Sequence, residues 1–164
     1  MKTLETTLIE HPLLEDLSAP HRKLLFDCSM RAEFKAGELI FREGDMANRF
    51  YLIESGAVSL ETMGEEKPYR IQLVEAGGVL GWSWLFPPYY WHFDAIALEP
   101  TKAIFFYGTR LREECERDHD LGYELMKRMS QIVIKRLQAT QRKLIALEEP
   151  SQNARKCREK VDFA

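Results

Sequence analysis

Between about Met30 and Tyr107 the chain alternates short runs of aliphatic, aromatic and β-branched residues with turns built on glycine. The runs predict strands at Arg31–Phe34, Leu39–Arg42, Phe50–Glu54, Ala57–Glu61, Tyr69–Val74, Phe93–Leu98 and Ala103–Tyr107. Turn signals separate them at Ala36-Gly37, Glu43-Gly44-Asp45, Ser55-Gly56, Met63-Gly64-Glu65, Ala76-Gly77-Gly78 and Glu99-Pro100. Many short strands at even spacing point to a sandwich or a barrel. In Ala57–Glu61 the alternation places Val58 and Leu60 inward and Ser59 and Glu61 outward.

Helical patterns flank this region. Leu13, Leu14 and Leu17 share one side of a helical turn, and Ser18 with Pro20 predicts the start of a helix to about Asp27. Its apolar face is Leu24, Leu25 and Cys28, and Cys28 is expected as a small buried hydrophobe. After Gly108, Thr109 is the expected cap of a charged helix from Arg110 to about Arg117. Asp118 or Asp120 is the expected cap of a longer one that runs to about Glu148, before Pro150. Within it Met126, Ser130, Val133, Leu137, Thr140, Leu144 and Leu147 recur at spacings of four and three, as in a coiled-coil seam. That face either packs on its own barrel or forms a homodimer. A dimer is the expectation, because the second half of so long a helix has little barrel to cover. The divisions are a helical lead-in (1–29), a β-region (30–107), C-terminal helices with the dimerisation helix (108–149) and a polar, solvated tail (150–164).

The length of 164 residues suits one domain, with 45% hydrophobic and 30% charged residues. A net charge of −3 gives no cationic field toward nucleic acid, and no apolar run is long enough for a bilayer. Cys28, Cys115 and Cys157 are odd in number and far apart, which argues for a reducing, cytoplasmic setting. There is no nucleophile elbow, phosphate-binding loop or dinucleotide fingerprint. His11, His21, His92 and His119 are scattered. The expectation is therefore no enzyme, no catalytic residue and no metal site.

The segment Phe34-Lys35-Ala36-Gly37-Glu38-Leu39-Ile40-Phe41-Arg42-Glu43-Gly44-Asp45, followed by Phe50-Tyr51-Leu52-Ile53-Glu54-Ser55-Gly56-Ala57-Val58-Ser59-Leu60, carries a resemblance. It is similar to the first half of the cyclic-nucleotide-binding domain of the bacterial catabolite-activator/fumarate-nitrate-regulator superfamily. The resemblance implies a mainly β fold with flanking helices: an eight-stranded jelly-roll barrel (a double-stranded β-helix), a short helix within the ligand cassette, and a long dimerising C-terminal helix. In transcription-factor members a helix-turn-helix of about sixty residues follows that helix. The residues after Glu148 are too few for one, so specific DNA binding is not expected.

In such domains the cassette opens on a Gly-Glu pair and closes on an Arg, a small residue and Ala. The Glu accepts the ribose hydroxyl, and the Arg pairs with the cyclic phosphate. Here the stretch runs from Leu80-Gly81-Trp82-Ser83-Trp84 to Trp91-His92-Phe93-Asp94-Ala95. Gly81 and Ala95 match. Trp82 stands at the Glu position, where an indole donates but cannot accept. Phe93 stands at the Arg position, or His92 if the alignment slips by one. From Ile71 to Thr101 there is no Lys or Arg. Aromatic surface replaces the charge, and it has two readings: a plug that fills the old pocket, or a pocket remodelled for a flatter, less anionic ligand. The expected ligand-binding residues are Gly81, Trp82, Ser83, Trp84, His92, Phe93, Asp94 and Ala95, with Ser83, His92 and Asp94 as the polar groups. His92 as an axial haem ligand lacks a credible second ligand. The sequence thus predicts a regulatory domain that senses a cyclic nucleotide or another small organic ligand. It acts through its dimer or a separate protein effector, with no membrane contact. The alternative is a degenerate domain serving as a protein–protein interaction module.

Overall fold

The computed structural model describes residues 2–149. The polar tail expected at 150–164 lies outside them. The order is helix α1 (Leu4–Ile9), a 3-10 turn (Pro12–Leu14), helix α2 (Ala19–Asp27), then eight strands: β1 (Ser29–Phe34), β2 (Leu39–Phe41), β3 (Arg49–Ser55), β4 (Ala57–Met63), β5 (Pro68–Glu75), β6 (Val79–Leu80), β7 (Asp94–Ala97) and β8 (Thr101–Tyr107). Helices α3 (Gly108–Arg117) and α4 (His119–Glu148) follow. The strands form two antiparallel four-stranded sheets, ordered β1-β8-β3-β6 and β2-β7-β4-β5.

The continuous apolar runs of β3 and β8 have a physical cause. Over their central residues both faces are buried, so successive positions there are apolar. Tyr51, Ile53, Ala103 and Phe105 point into the barrel, with Val58, Leu60, Val74, Leu80 and Ala95. Phe50, Leu52, Ile104 and Phe106 point the other way, into a second core that also holds Leu13, Leu14, Leu17, Leu25, Cys28, Leu111, Leu121, Leu125 and Met129. Cys28 is buried as expected, and Leu13, Leu14 and Leu17 are buried as well.

Ser18 caps α2, its Oγ accepting from the His21 N–H at 3.4 Å. Asp118 caps α4, with Oδ1 accepting from the amides of Asp120 (3.1 Å) and Leu121 (3.2 Å). Its Oδ2 lies 2.8 Å from His21 Nε2, and that bond holds the Asp118 carboxyl below its ordinary value. Gly56 has φ +94° between β3 and β4, and a Cβ there would lie 2.4 Å from Thr101 Oγ1, so only glycine fits.

The structure adds one strand and corrects three expectations. Strand β6 has only two residues, which carry no periodicity. Strand β7 is shorter than Phe93–Leu98. Helix α3 begins at Gly108, before Thr109, and has no side-chain cap at Tyr107. Ser59 lies on the outer face yet is fully buried, its hydroxyl donating to Glu61 Oε1 (2.7 Å) and accepting from Arg70 Nε (3.0 Å).

The compact units divide between Ile132 and Val133. In the first, Arg128 is buried and joins α4 to the N-terminal turn. Its Nε donates to the Leu13 carbonyl at 2.7 Å, and Nη2 donates to the Glu15 carbonyl. Nη1 donates to the Glu124 carboxylate. The described part of the second is residues 133–149, helical to Glu148, on which Ile134, Leu137, Leu144, Ile145 and Leu147 are exposed. No helix among the described residues is long and apolar enough to cross a membrane.

Candidate functional site

Strand β6 pairs Val79 with Leu52 and Leu80 with Tyr51, then the chain breaks from the sheet at Gly81, φ +85°. Residues 81–93 form turns and bends, without the helix the family resemblance implied. The physical reason is local: Gly81 leaves the helical region at the first position, and Pro87-Pro88 supplies no amide donors.

The returning half of this cassette is anchored by backbone pairing to the loop between β2 and β3. The Ala47 amide donates to the Tyr89 carbonyl (2.7 Å), the Trp91 amide to Asp45 (2.9 Å), and the Gly44 amide to Trp91 (2.9 Å). This pairing turns the Trp91 indole into the barrel mouth, where it is only 5% exposed. It stacks on Phe41 with ring centroids 3.9 Å apart and planes 13° apart. Its six-membered ring also covers Gly81: a Cβ there would lie 2.6 Å from Trp91 Cζ3 and 2.9 Å from Cη2. Behind it Phe41 stacks on Tyr51 at 6.3 Å, and Tyr51 meets Phe34 at 6.1 Å.

Beyond Gly81, the expected site residues fall into three groups. Trp82, Ser83 and His92 come together: Trp82 stacks on His92 at 5.0 Å, and Ser83 Oγ shares a 2.9 Å hydrogen bond with His92 Nδ1. Phe93, Asp94 and Ala95 lead into β7. Phe93 and Ala95 pack in the barrel core, and Asp94 Oδ1 accepts from the Glu43 amide at 2.8 Å, fixing the turn after β2. Trp84 stands apart. It is fully buried in the other core, stacked on Phe50 at 4.9 Å, with its indole N–H unpaired.

Two cations outside the cassette bear on its surroundings, and sequence reasoning missed both: Arg112 touches the cassette, and Arg49 stands on β3, which pairs with the β6 strand leading into it. Arg49, on the inward face of β3, lies 4.4 Å over the Phe105 ring and beside Tyr51, whose phenol burial pushes above its ordinary value. Arg112, on α3, donates through Nη1 to the Trp84 carbonyl and to the Ala47 carbonyl (3.3 Å), and its guanidinium sits 4.3 Å over the Tyr89 ring. Neither is near the cassette in sequence, so no local motif could signal them. Among the described residues no cluster of three or more His, Cys, Asp or Glu is placed to hold a metal.

The cassette is also wired to the helices. Trp82, Leu85 and Phe86 pack in the same cluster as Leu111 of α3 and Leu121, Leu125 and Met129 of α4. The cassette and the first turns of α4 thus share one close-packed core.

A profile of the cyclic nucleotide-binding domain family matches residues 31–118, more than half of the chain. A cAMP-dependent protein kinase regulatory subunit from Emericella nidulans is 39% identical over 66 residues, which are 40% of this chain and 16% of that protein. The chain thus spans about a sixth of that relative's length. Among solved structures, a provisionally named cyclic nucleotide-binding protein from Geobacter metallireducens is 28% identical with a TM-score of 0.73, covering 84% of this chain and 99% of that one. The catabolite activator protein of Thermus thermophilus, 21% identical, shares the fold with a TM-score of 0.65 over 83% of this chain and 62% of its own.

Proposed function

This chain belongs to the cyclic nucleotide-binding domain family, and from that premise we propose that it is a regulatory domain tuned to a small ligand other than an ordinary cyclic nucleotide. The observation that carries this reading is the cluster at the head of the cassette, where Trp82 stacks on His92 beside Ser83. Ile71–Thr101 holds no Lys or Arg to pair with a cyclic phosphate there, and Arg112 is already engaged by the carbonyls of Trp84 and Ala47. Loss of one charge-assisted bidentate pair costs a few kcal/mol, or about two orders of magnitude in affinity. The ligand-facing groups are Gly81, Trp82, Ser83, His92 and Phe93, with Asp94 and Ala95 as the β7 wall and Trp84 as the support behind them. Trp82, Ser83 and His92 together favour a flat ring that offers one or two hydrogen bonds.

The signal leaves through Trp82, Leu85 and Phe86 toward α4. The exposed Leu137, Leu144 and Leu147 support a parallel homodimer along the Met126–Leu147 seam. Val133→Glu or Leu137→Glu is expected to yield monomer or aggregate by sedimentation; a wild-type monomer at tens of micromolar would refute the seam.

Calorimetry with cyclic AMP and cyclic GMP is expected to show at most weak binding. Micromolar affinity for either would restore the ordinary ligand. The three tryptophans all lie between Gly81 and Phe93, so intrinsic emission reports this segment. A flat, aromatic or carboxylate-bearing metabolite should shift that emission saturably, and Trp82→Ala should weaken the response more than it lowers stability. The deep burial of Trp84 and Trp91 favours one second reading, a filled barrel acting as a protein-interaction module. Flat emission across a broad metabolite panel would leave that reading standing.

A further inference from the structure

The segment that carries Trp91 is held in an unrelaxed conformation. Tyr89 has φ +62°, in the left-handed region that a bulky side chain seldom occupies, and persists there only where its surroundings over-determine it. Two surroundings do so. One is the backbone pairing of Tyr89 and Trp91 with Asp45 and Ala47. The other is Arg112, whose planar guanidinium lies on the Tyr89 ring while its Nη1 grips the carbonyls of Trp84 and Ala47. A single α3 side chain therefore clamps the outgoing half of the cassette, its returning half and the loop with which the returning half pairs.

Trp91 occupies a position with the features of a ligand slot. A flat ring is stacked on Phe41, it abuts a glycine whose missing Cβ makes the room, and it is almost wholly out of solvent. The occupant is the chain's own indole. We propose that Trp91 is an intramolecular plug in that slot and that Arg112 is the positioning residue that latches it. Release of Arg112 lets Tyr89 leave the left-handed region, and the indole swings out with it. An incoming flat heteroaromatic then competes with Trp91 for Phe41 and Gly81, so apparent affinity is reduced by the fraction of time the slot is closed. Because Arg112 rides on α3, whose Leu111 packs with Leu121 and Leu125 of α4, the latch also reads the state of the helices. The inference rests on the ligand reading only for what enters the slot. The plug itself stands on geometry.

The test labels the full chain with 5-fluorotryptophan, whose three fluorine resonances are assigned by Trp→Phe substitution. In Arg112→Ala the Trp91 resonance is expected to move toward its solvent-exposed position, and by more than that of Trp84, whose backbone carbonyl Arg112 also holds, while that of Trp82 stays in place. Arg112→Lys, which keeps the charge but not the planar fork, should give a smaller shift. An unmoved Trp91 resonance in Arg112→Ala overturns the latch. Indole is the second probe. Trp91→Ala, or Trp91→Leu should the first fail to fold, is expected to take up indole saturably, at least about tenfold tighter than wild type. A folded variant that takes up none overturns the plug. Indole uptake together with a wild type deaf to every metabolite would keep the plug and remove the sensor. A metabolite response with Trp91 unmoved would do the reverse.

Discussion

Trp84→Ala is expected to destabilise the chain by about 3–5 kcal/mol, which lowers the melting temperature by about 10 °C for a domain of this size. Trp84 has no exposed surface, and its ring is the outer member of a stack with Phe50 (4.9 Å) and, beyond it, Phe106 (4.4 Å). Removing it opens a cavity in the core where the N-terminal helices, the outer face of β3 and β8, and the start of α4 meet. The neighbours are held by strand pairing and can collapse only partly, so both the transfer and the cavity contributions apply. Trp84→Phe should lose far less. It keeps the stack on Phe50 and removes an indole N–H that has no partner, and an unpaired buried donor is itself unfavourable. Thermal and urea unfolding of the two variants measure this. A loss below about 1 kcal/mol in Trp84→Ala, coupled with a lost ligand response, would return Trp84 to the ligand surface.

The second large effect is expected at Arg128. Arg128→Ala should cost about 2–4 kcal/mol, because it strips the donors from the carbonyls of Leu13 and Glu15. It also removes the aliphatic stem that fills the space between α4 and the N-terminal turn. The Arg128 bond is the main reason the Glu124 carboxyl sits below its ordinary value, with Lys127 adding to it. Glu124 is partly open to water, so the carbonyl bonds carry most of the expected loss. Arg128→Met separates the two causes by restoring the stem without the donors. Hydrogen exchange should then show opening confined to residues 13–17, whereas Arg128→Ala should also loosen Leu125 and Met129. A fully stable Arg128→Met would mean that the carbonyls find other donors and that the guanidinium is not what ties α4 to the N-terminus.

Arg128 also marks where sequence reading stops. Local physics was legible. The caps at Ser18 and Asp118 follow from short side chains that reach amides two or three residues on. The turns at Gly37, Gly44 and Gly56 follow from a positive φ. The strands β3, β4 and β8 follow from runs whose period shows within a few residues. The chemistry of the cassette was legible too, as a list: seven aromatic residues from Trp82 to Phe93 and no cation.

The arrangement of that list was not. Trp82, Trp84 and Trp91 are equivalent as sequence. Yet one stacks on an exposed histidine, one is sealed in the second core, and one fills the barrel mouth over Gly81. The segment has neither helical nor strand period, so the face each residue presents is set by what the chain pairs with some forty residues earlier, at Gly44–Ala47. The strand β6 exists only because β3 offers it an edge. Ser59 obeyed the alternation and was still buried, because Arg70 and Glu61 on neighbouring positions close over it. Arg112 reaches the Trp84 carbonyl and the Tyr89 ring from a helix that no local pattern connects to the cassette. Periodicity, capping and turn preference act over a few residues, and one sequence displays them. The partners of a turn-rich loop are chosen by long-range packing, where burial of large rings outweighs any local preference, and that choice exists only once the sheets have closed.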